Sequence, residues 1–281
     1  MNTQKKYTKS YSCEFFPPKT EKGAENLRAT LTELAQLNPA YFSVTFGAGG
    51  STQEGTYDTV KKIQEKSYSA APHLSCVGST QENIRTLLQS YISIGVKRIV
   101  ALRGDMPSGM RDMGELRHAN ELVEFIRRET GGHFHIEVAA YPEIHPQAPN
   151  AQKDLHNFVR KVKAGANAAI TQYFYNSDAY FRFIDDCEKL GVDLPIIPGI
   201  MPITNYSQLA RFSDMCGAEI PRWMRKRLEA YGDDKESIVA FGEEVVTELA
   251  RKLLDNGAPG LHFYTMNQTG PTAKIWHNLG L

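Results

Sequence analysis

Short apolar runs alternate with longer amphipathic stretches along the whole chain. The runs at 11–16, 41–46, 73–77, 98–102, 135–141, 168–174, 196–200 and 261–265 are nearly continuous in apolar or β-branched residues. Unbroken apolarity over that length is what parallel strands show when both faces are covered. Between the runs the spacing becomes helical. Residues 24–37 place Leu27, Leu31, Leu34 and Leu37 on one face, 83–94 do the same with Ile84, Leu87, Leu88 and Tyr91, and 178–190 with Tyr180, Phe181, Ile184 and Cys187. Thr80-Gln81-Glu82 and Ser177-Asp178 read as helix starts. Eight strands alternating with helices predict an α/β protein with a parallel sheet, and the count of eight favours closure into a (β/α)8 TIM barrel. An open doubly wound sheet is the alternative, but no GxGxxG follows the first run. The stretch 203–256 is too long for one helix. It predicts an extra helix between the seventh and eighth strands, around 221–231, with Pro221 as its starter. No repeat, low-complexity tract or linker interrupts the pattern, so 1–281 reads as a single barrel domain.

Composition adds exclusions. Hydrophobic residues make up 41% and charged residues 23%, enough for a large core. Lys plus Arg equals Asp plus Glu at 32 each, so no net field favours nucleic acid or an anionic membrane, and an anionic ligand has to be met by local groups. Cys13, Cys76, Cys187 and Cys216 form no CxxC pair, which argues against a zinc knuckle or redox dithiol. The first ten residues are polar and basic, unlike a signal peptide, and no apolar run approaches the ~20 residues of a membrane helix. A soluble cytoplasmic protein is expected.

The chemistry collects at the C-terminal ends of the predicted strands, where a barrel carries its active site. Glu14 lies in an apolar run that stops at Pro17-Pro18. Burial there would raise its pKa and suit it to donate a proton near neutrality; a buried structural ion pair is the plainer reading. Thr45-Phe46 and the glycine-rich 47–51 close the second run, and His73 lies on the third. Arg103-Gly104-Asp105 closes the fourth, Tyr141 to His145 the fifth, Gln172 lies near the end of the sixth and Tyr264 to Asn267 close the eighth. Polar groups at one end of nearly every strand point to a large polar ligand. Asp154, Asn157 and Lys161 share a helical face with Arg160 beside it, a set that could meet a ribose and phosphates or simply be solvated. His73 and His145 lack the HxH or HExxH context of a metal site. His133 and His135 read as solvent-facing on a strand edge, Phe212 as a core residue, and Trp223 and Trp276 as packing residues.

The segments 14–18, 43–48, 71–74, 101–105, 140–146 and 170–172, with 198–202 and 262–267, together resemble the catalytic barrel of the bacterial methylenetetrahydrofolate reductase family over nearly the whole chain. The resemblance implies non-covalent FAD, NADH (or NADPH) as hydride donor, and reduction of 5,10-methylenetetrahydrofolate to 5-methyltetrahydrofolate. Both substrates would use the flavin in turn, in a ping-pong scheme that feeds methionine synthesis. It implies Glu14 as the general acid that opens the folate imidazolidine ring, and Asp105 as a carboxylate that binds folate and tunes the flavin. Thr45, Phe46, Ala48, His73, Arg103, Gly104 and Ala119 match flavin-contacting positions, as do Tyr141, His145, Asp154, Asn157, Arg160 and Lys161. Gln172 matches a residue shared by folate and nicotinamide, and Thr45, Gln208, Phe212 and Tyr264 fall in the substrate region. Gln268 stands where some relatives carry an Arg for the folate glutamate tail. A homo-oligomer is expected. The chain stops at Leu281, leaving no room for a regulatory domain that binds S-adenosylmethionine, so no such inhibition is expected.

Two further classes compete. A Schiff-base lyase needs a lysine at a strand end, and none is predicted there. A flavin- or pterin-binding subunit acting with a partner electron donor is the other, tested by whether the chain alone oxidises NADH.

Overall fold

A computed structural model describes residues 1–46, 50–105 and 113–281, the side chains of 50–53 excepted. The chain forms two compact units. The N-terminal unit holds Ser12–Ala139 and Arg160–Ala169, and the C-terminal unit holds Met1–Tyr11, Ala140–Val159 and Ile170–Leu281.

After a short 3-10 turn the chain runs β1 (Ser10–Phe15), α1 (Glu21–Ala35), β2 (Tyr41–Val44), α2 (Gly50–Glu65), β3 (Ala70–Ser75), α3 (Gln81–Ser93), β4 (Arg98–Leu102), α4 (Ala119–Thr130) and β5 (His135–Ala140). It continues through α5 (Ala151–Lys163), β6 (Ala168–Thr171), α6 (Ser177–Lys189), β7 (Ile196–Ile197), β8 (Gly199–Ile200), α7 (Tyr206–Cys216), α8 (Arg222–Tyr231), α9 (Lys235–Asp255), β9 (Gly260–Tyr264) and α10 (Gly270–Asn278). The strands follow the order β7-β6-β5-β4-β3-β2-β1-β9-β8. Strand–helix alternation in this order is the (β/α)8 barrel class that the apolar pattern predicts. The single seventh run divides at Pro198, which has no N–H to give to a ladder. The stretch after it folds into three helices, and the middle one, α8, is the extra helix expected there.

In the N-terminal unit, β1 pairs parallel with β2, β2 with β3, β3 with β4 and β4 with β5. Every residue of β2 and β3 is buried, which explains their unbroken apolar sequence. α1 begins where Thr20 accepts a hydrogen bond from the Gly23 amide, and it buries Leu27, Leu31 and Leu34. Each such leucine contributes about 1.5–3 kcal/mol of apolar burial. A buried ionic cluster joins β2, β4 and β5 of this unit. The Tyr41 hydroxyl donates to Glu137 at 2.7 Å, Arg98 pairs with the other Glu137 oxygen, and the Arg98 guanidinium lies 4.5 Å from the centre of the Tyr41 ring. His135 stands 3.8 Å from Glu137, half-buried rather than free on an edge, and its imidazole pKa is lowered first by burial and then by Arg98. His133 is likewise half-buried, its Nε2 lying 3.1 Å from the Val96 carbonyl.

In the C-terminal unit, β8 pairs parallel with β9. The start of α6 is set one residue before the predicted signal, where the Asn176 side chain accepts from the Asp178 amide at 3.0 Å. Trp276 is buried against Phe263, as expected of a packing residue. Trp223 is not: it stays 58% exposed, with its ring edge-on to Phe241.

Candidate active site

Parallel register brings three polar side chains of the N-terminal unit together. Glu14 is paired opposite Ser43, and Ser43 opposite Ala71. His73 lies two residues beyond Ala71 and so on the same face of the sheet. Accordingly His73 Nε2 stands 3.2 Å from Glu14 Oε2, and the Ser43 hydroxyl donates to the same oxygen at 3.5 Å. Both side chains are largely enclosed, with exposures of 10% for His73 and 14% for Glu14. The His73–Glu14 approach is close but not aligned as a hydrogen bond among the described residues. A carboxyl group enclosed beside an imidazole and a hydroxyl can give or take a proton in a place that water reaches poorly.

The end of β4 supplies charges of both signs. The Ser75 hydroxyl donates to the Arg103 carbonyl at 2.7 Å, and Arg103 Nε donates to the Gly104 carbonyl at 3.0 Å. Gly104 adopts φ +86°, and a Cβ there would lie 1.9 Å from Ser75 Oγ, so only glycine fits this turn. Asp105 then projects outward, 91% exposed and 4.0 Å from Arg103. Thr45 and Phe46 are half-buried just beyond β2, with the Thr45 amide donating to the Phe15 carbonyl at 2.9 Å. Ala119 is the first residue of α4, whose start is held by Glu121 accepting from the Arg117 amide at 2.7 Å. Ala48 and the rest of 47–49, like 106–112, lie outside the described residues.

In the C-terminal unit the loop after β5 is tightly braced. The rings of Tyr141 and His145 meet at 4.5 Å, and the His145 amide donates to Asp154 on α5 at 2.9 Å. His145 Nδ1 accepts from the Gln147 amide at 3.0 Å, which leaves Nε2 to carry the proton of the neutral ring. Asn157 and Arg160 are exposed along α5, and the Lys161 ammonium reaches the Ala139 carbonyl within the N-terminal unit. A cavity of about 420 Å³ opens beside this loop, lined by Tyr141, Glu143, Asp154, Arg182 and Asp186 among others. Glu143 accepts from the Glu219 amide at 2.8 Å, while its second oxygen is buried without a partner among the described residues. Burial raises the pKa of this carboxyl against that hydrogen bond.

The remaining candidates lie in the same unit, where a wall links Tyr264 and Thr171 to Tyr173 and Ser213. Tyr264 donates to the Thr171 carbonyl at 2.8 Å, and the Gly199 amide donates to the Thr171 hydroxyl at 2.9 Å. Gln172 accepts from the Tyr173 amide at 3.0 Å. The Tyr173 ring stands edge-on to Tyr264 at 6.3 Å, and its hydroxyl lies 3.1 Å from the Ser213 hydroxyl on α7. α7 is capped by Asn205, which accepts from the Gln208 amide at 2.8 Å. Gln208 and Phe212 follow one turn apart and are both half-buried, so Phe212 is not enclosed in the core as a packing residue would be. Gln268 is exposed just past β9, after Met266 and Asn267 at φ +52° and +54°. Two consecutive non-glycine residues in the left-handed region mark a constrained turn of the kind that collects at functional sites.

Several of these participants were not singled out by sequence: Ser43, Thr171, Tyr173 and Ser213. Ser43 had a usable signal, since it precedes Thr45 by two and therefore shares its strand face. Thr171, Tyr173 and Ser213 matter through pairings that no spacing reveals.

Comparison with known proteins then gives a consistent set of relatives. The family described as "Methylenetetrahydrofolate reductase" matches residues 1–280. The chain is 40% identical over 273 residues to the 5,10-methylenetetrahydrofolate reductase of Escherichia coli, covering 96% of this chain and 90% of that one. It is 42% identical over 271 residues to the enzyme of that name from Buchnera aphidicola subsp. Acyrthosiphon pisum, with coverage of 96% and 91%. In fold it is similar to an uncharacterized protein from Clostridium thermocellum that binds two copies of 5-methyl-5,6,7,8-tetrahydrofolic acid, with a TM-score of 0.70 at 17% identity over 99% of this chain and 96% of that one.

Proposed function

The chain belongs to the methylenetetrahydrofolate reductase family, and from that premise we propose how it acts: NADH (or NADPH) and methylenetetrahydrofolate take turns at a non-covalently bound FAD. The chain is an oxidoreductase, and its reaction is the reduction of methylenetetrahydrofolate. The single observation that carries the proposal is the enclosed Glu14 carboxyl held beside His73 and Ser43. Glu14 donates its proton to a ring nitrogen of the imidazolidine, which opens to an iminium able to accept hydride. Such a general acid contributes on the order of 10²–10⁴ in rate. Ser43 and His73 hold the acid in place. Asp105, exposed at the end of β4, binds the folate.

The residues suit FAD in kind. Arg103, Arg160 and Lys161 offer cations for a pyrophosphate, Asp154 and Asn157 offer polar groups for a ribose, and the side-chain-free Gly104 turn lets a ligand approach the backbone. Bound flavin would supply the two-electron relay between nicotinamide and folate. The chain works as one catalytic domain in a homo-oligomer of the cytoplasm, and its product feeds methionine synthesis.

Glu14→Gln tests the proposal. With FAD bound, flavin bleaching by NADH should stay within about threefold of wild type, while the folate half-reaction falls by about 10² or more. Loss of both half-reactions with FAD retained would remove the acid role.

A further inference from the structure

We propose that Arg211 binds the glutamate-tail carboxylates of the folate substrate and so sets preference for tail length; the inference rests on the folate reading above. The geometry of α7 carries it. Leu209 and Ser213 point inward, 2% and 4% exposed, and Ser213 ties the helix to Tyr173. Gln208 and Phe212 occupy the adjoining flank, one turn apart. Arg211 lies three residues after Gln208 on that flank, exposed at its outer side. Its guanidinium stands 5.5 Å from the centre of the Phe212 ring. Stacking on an aromatic ring keeps the planar fork ordered while leaving its N–H groups free to donate. No acidic partner of Arg211 occurs among the described residues.

Charge complementarity names the ligand. Methylenetetrahydrofolate has an uncharged fused ring system at one end and a glutamate with two carboxylates at the other, and longer tails add one carboxylate per residue. Its ring suits the aromatic pair Tyr173 and Tyr264, to which α7 is tied through Ser213, and its charge then falls toward the outer flank of α7, where Arg211 offers a bidentate site. A nicotinamide dinucleotide carries its charge between two ring systems instead, which fits a cation at the rim less well. The chain has no net charge to draw an anion in generally, and Gln268, at the end of β9, is neutral. Arg211 supplies the local cation that the balanced charge and Gln268 do not.

The experiment compares wild type, Arg211→Gln and Arg211→Lys as FAD-loaded enzymes, using methylenetetrahydrofolate with one and with three glutamates. Arg211→Gln should raise KM for the triglutamate about 3- to 10-fold, and that for the monoglutamate less, with kcat nearly unchanged. Arg211→Lys should recover part of the loss, and bleaching by NADH should not change. An unchanged KM ratio in an active enzyme overturns the assignment of Arg211 and leaves the folate reading intact. A shift confined to NADH assigns Arg211 to the dinucleotide and overturns it too. Wild-type enzyme that neither reduces nor binds folate removes both the folate reading and this inference.

Discussion

Glu14, Ser43 and His73 meet because three adjacent parallel strands hold a fixed register, and a slip of one residue would turn each side chain to the other face. Glu14 could be picked out in the sequence as a carboxylate in an apolar run. Its neighbours could not, because register is a property of pairs of strands rather than of any one of them. Glu143 shows the same limit: nothing in its local sequence marks its half-buried carboxyl or the oxygen left without a partner. Its folded-state pKa is raised, so its contribution to stability is fully present below the unfolded carboxylate value of about 4.5 and is lost as pH rises through the folded value. Glu143→Gln keeps an acceptor for the Glu219 amide and removes the charge. Its Tm should rise at pH 7 and rise less at pH 4, by thermal unfolding at the two values. Equal shifts at both would show that the ionised form is not the source of the cost.

At the scale of elements, the apolar pattern gave away strand and helix types, while ends and interruptions depended on hydrogen bonds. The run 168–174 predicts one strand, yet β6 stops at Thr171, and just past it the Tyr173 amide donates to the Gln172 side chain rather than to a ladder partner. The run 196–200 carries Pro198 and divides there. Gly199 in its second half has a role that apolarity alone does not suggest. A Cβ on it would lie 2.2 Å from the Thr171 carbonyl and 2.6 Å from the Tyr264 ring, so its bareness allows Tyr264 to cross to Thr171. Gly199→Ala should displace Tyr264 and raise KM for folate at least several-fold, with a loss of stability of about 1–3 kcal/mol from overpacking. Steady-state kinetics and denaturant melts check both parts. An unchanged KM alongside the expected destabilisation would mean that Tyr264 does not shape the substrate wall.

For the molecule as a whole, eight apolar runs alternating with helical stretches point to a (β/α)8 barrel with polar strand ends, and the order of elements and the family relationship agree. The sequence did not reveal which polar ends work together, because that depends on contacts between segments far apart in the chain. The central claim is that this one chain carries electrons from a nicotinamide to folate through a bound flavin. The most direct test is an anaerobic visible spectrum of the purified protein loaded with FAD, taken before NADH, after NADH and then after methylenetetrahydrofolate. The account predicts a flavin spectrum that bleaches with NADH and returns with the folate. Flavin that stays oxidised with both NADH and NADPH, or bleached flavin that the folate does not restore, would contradict it.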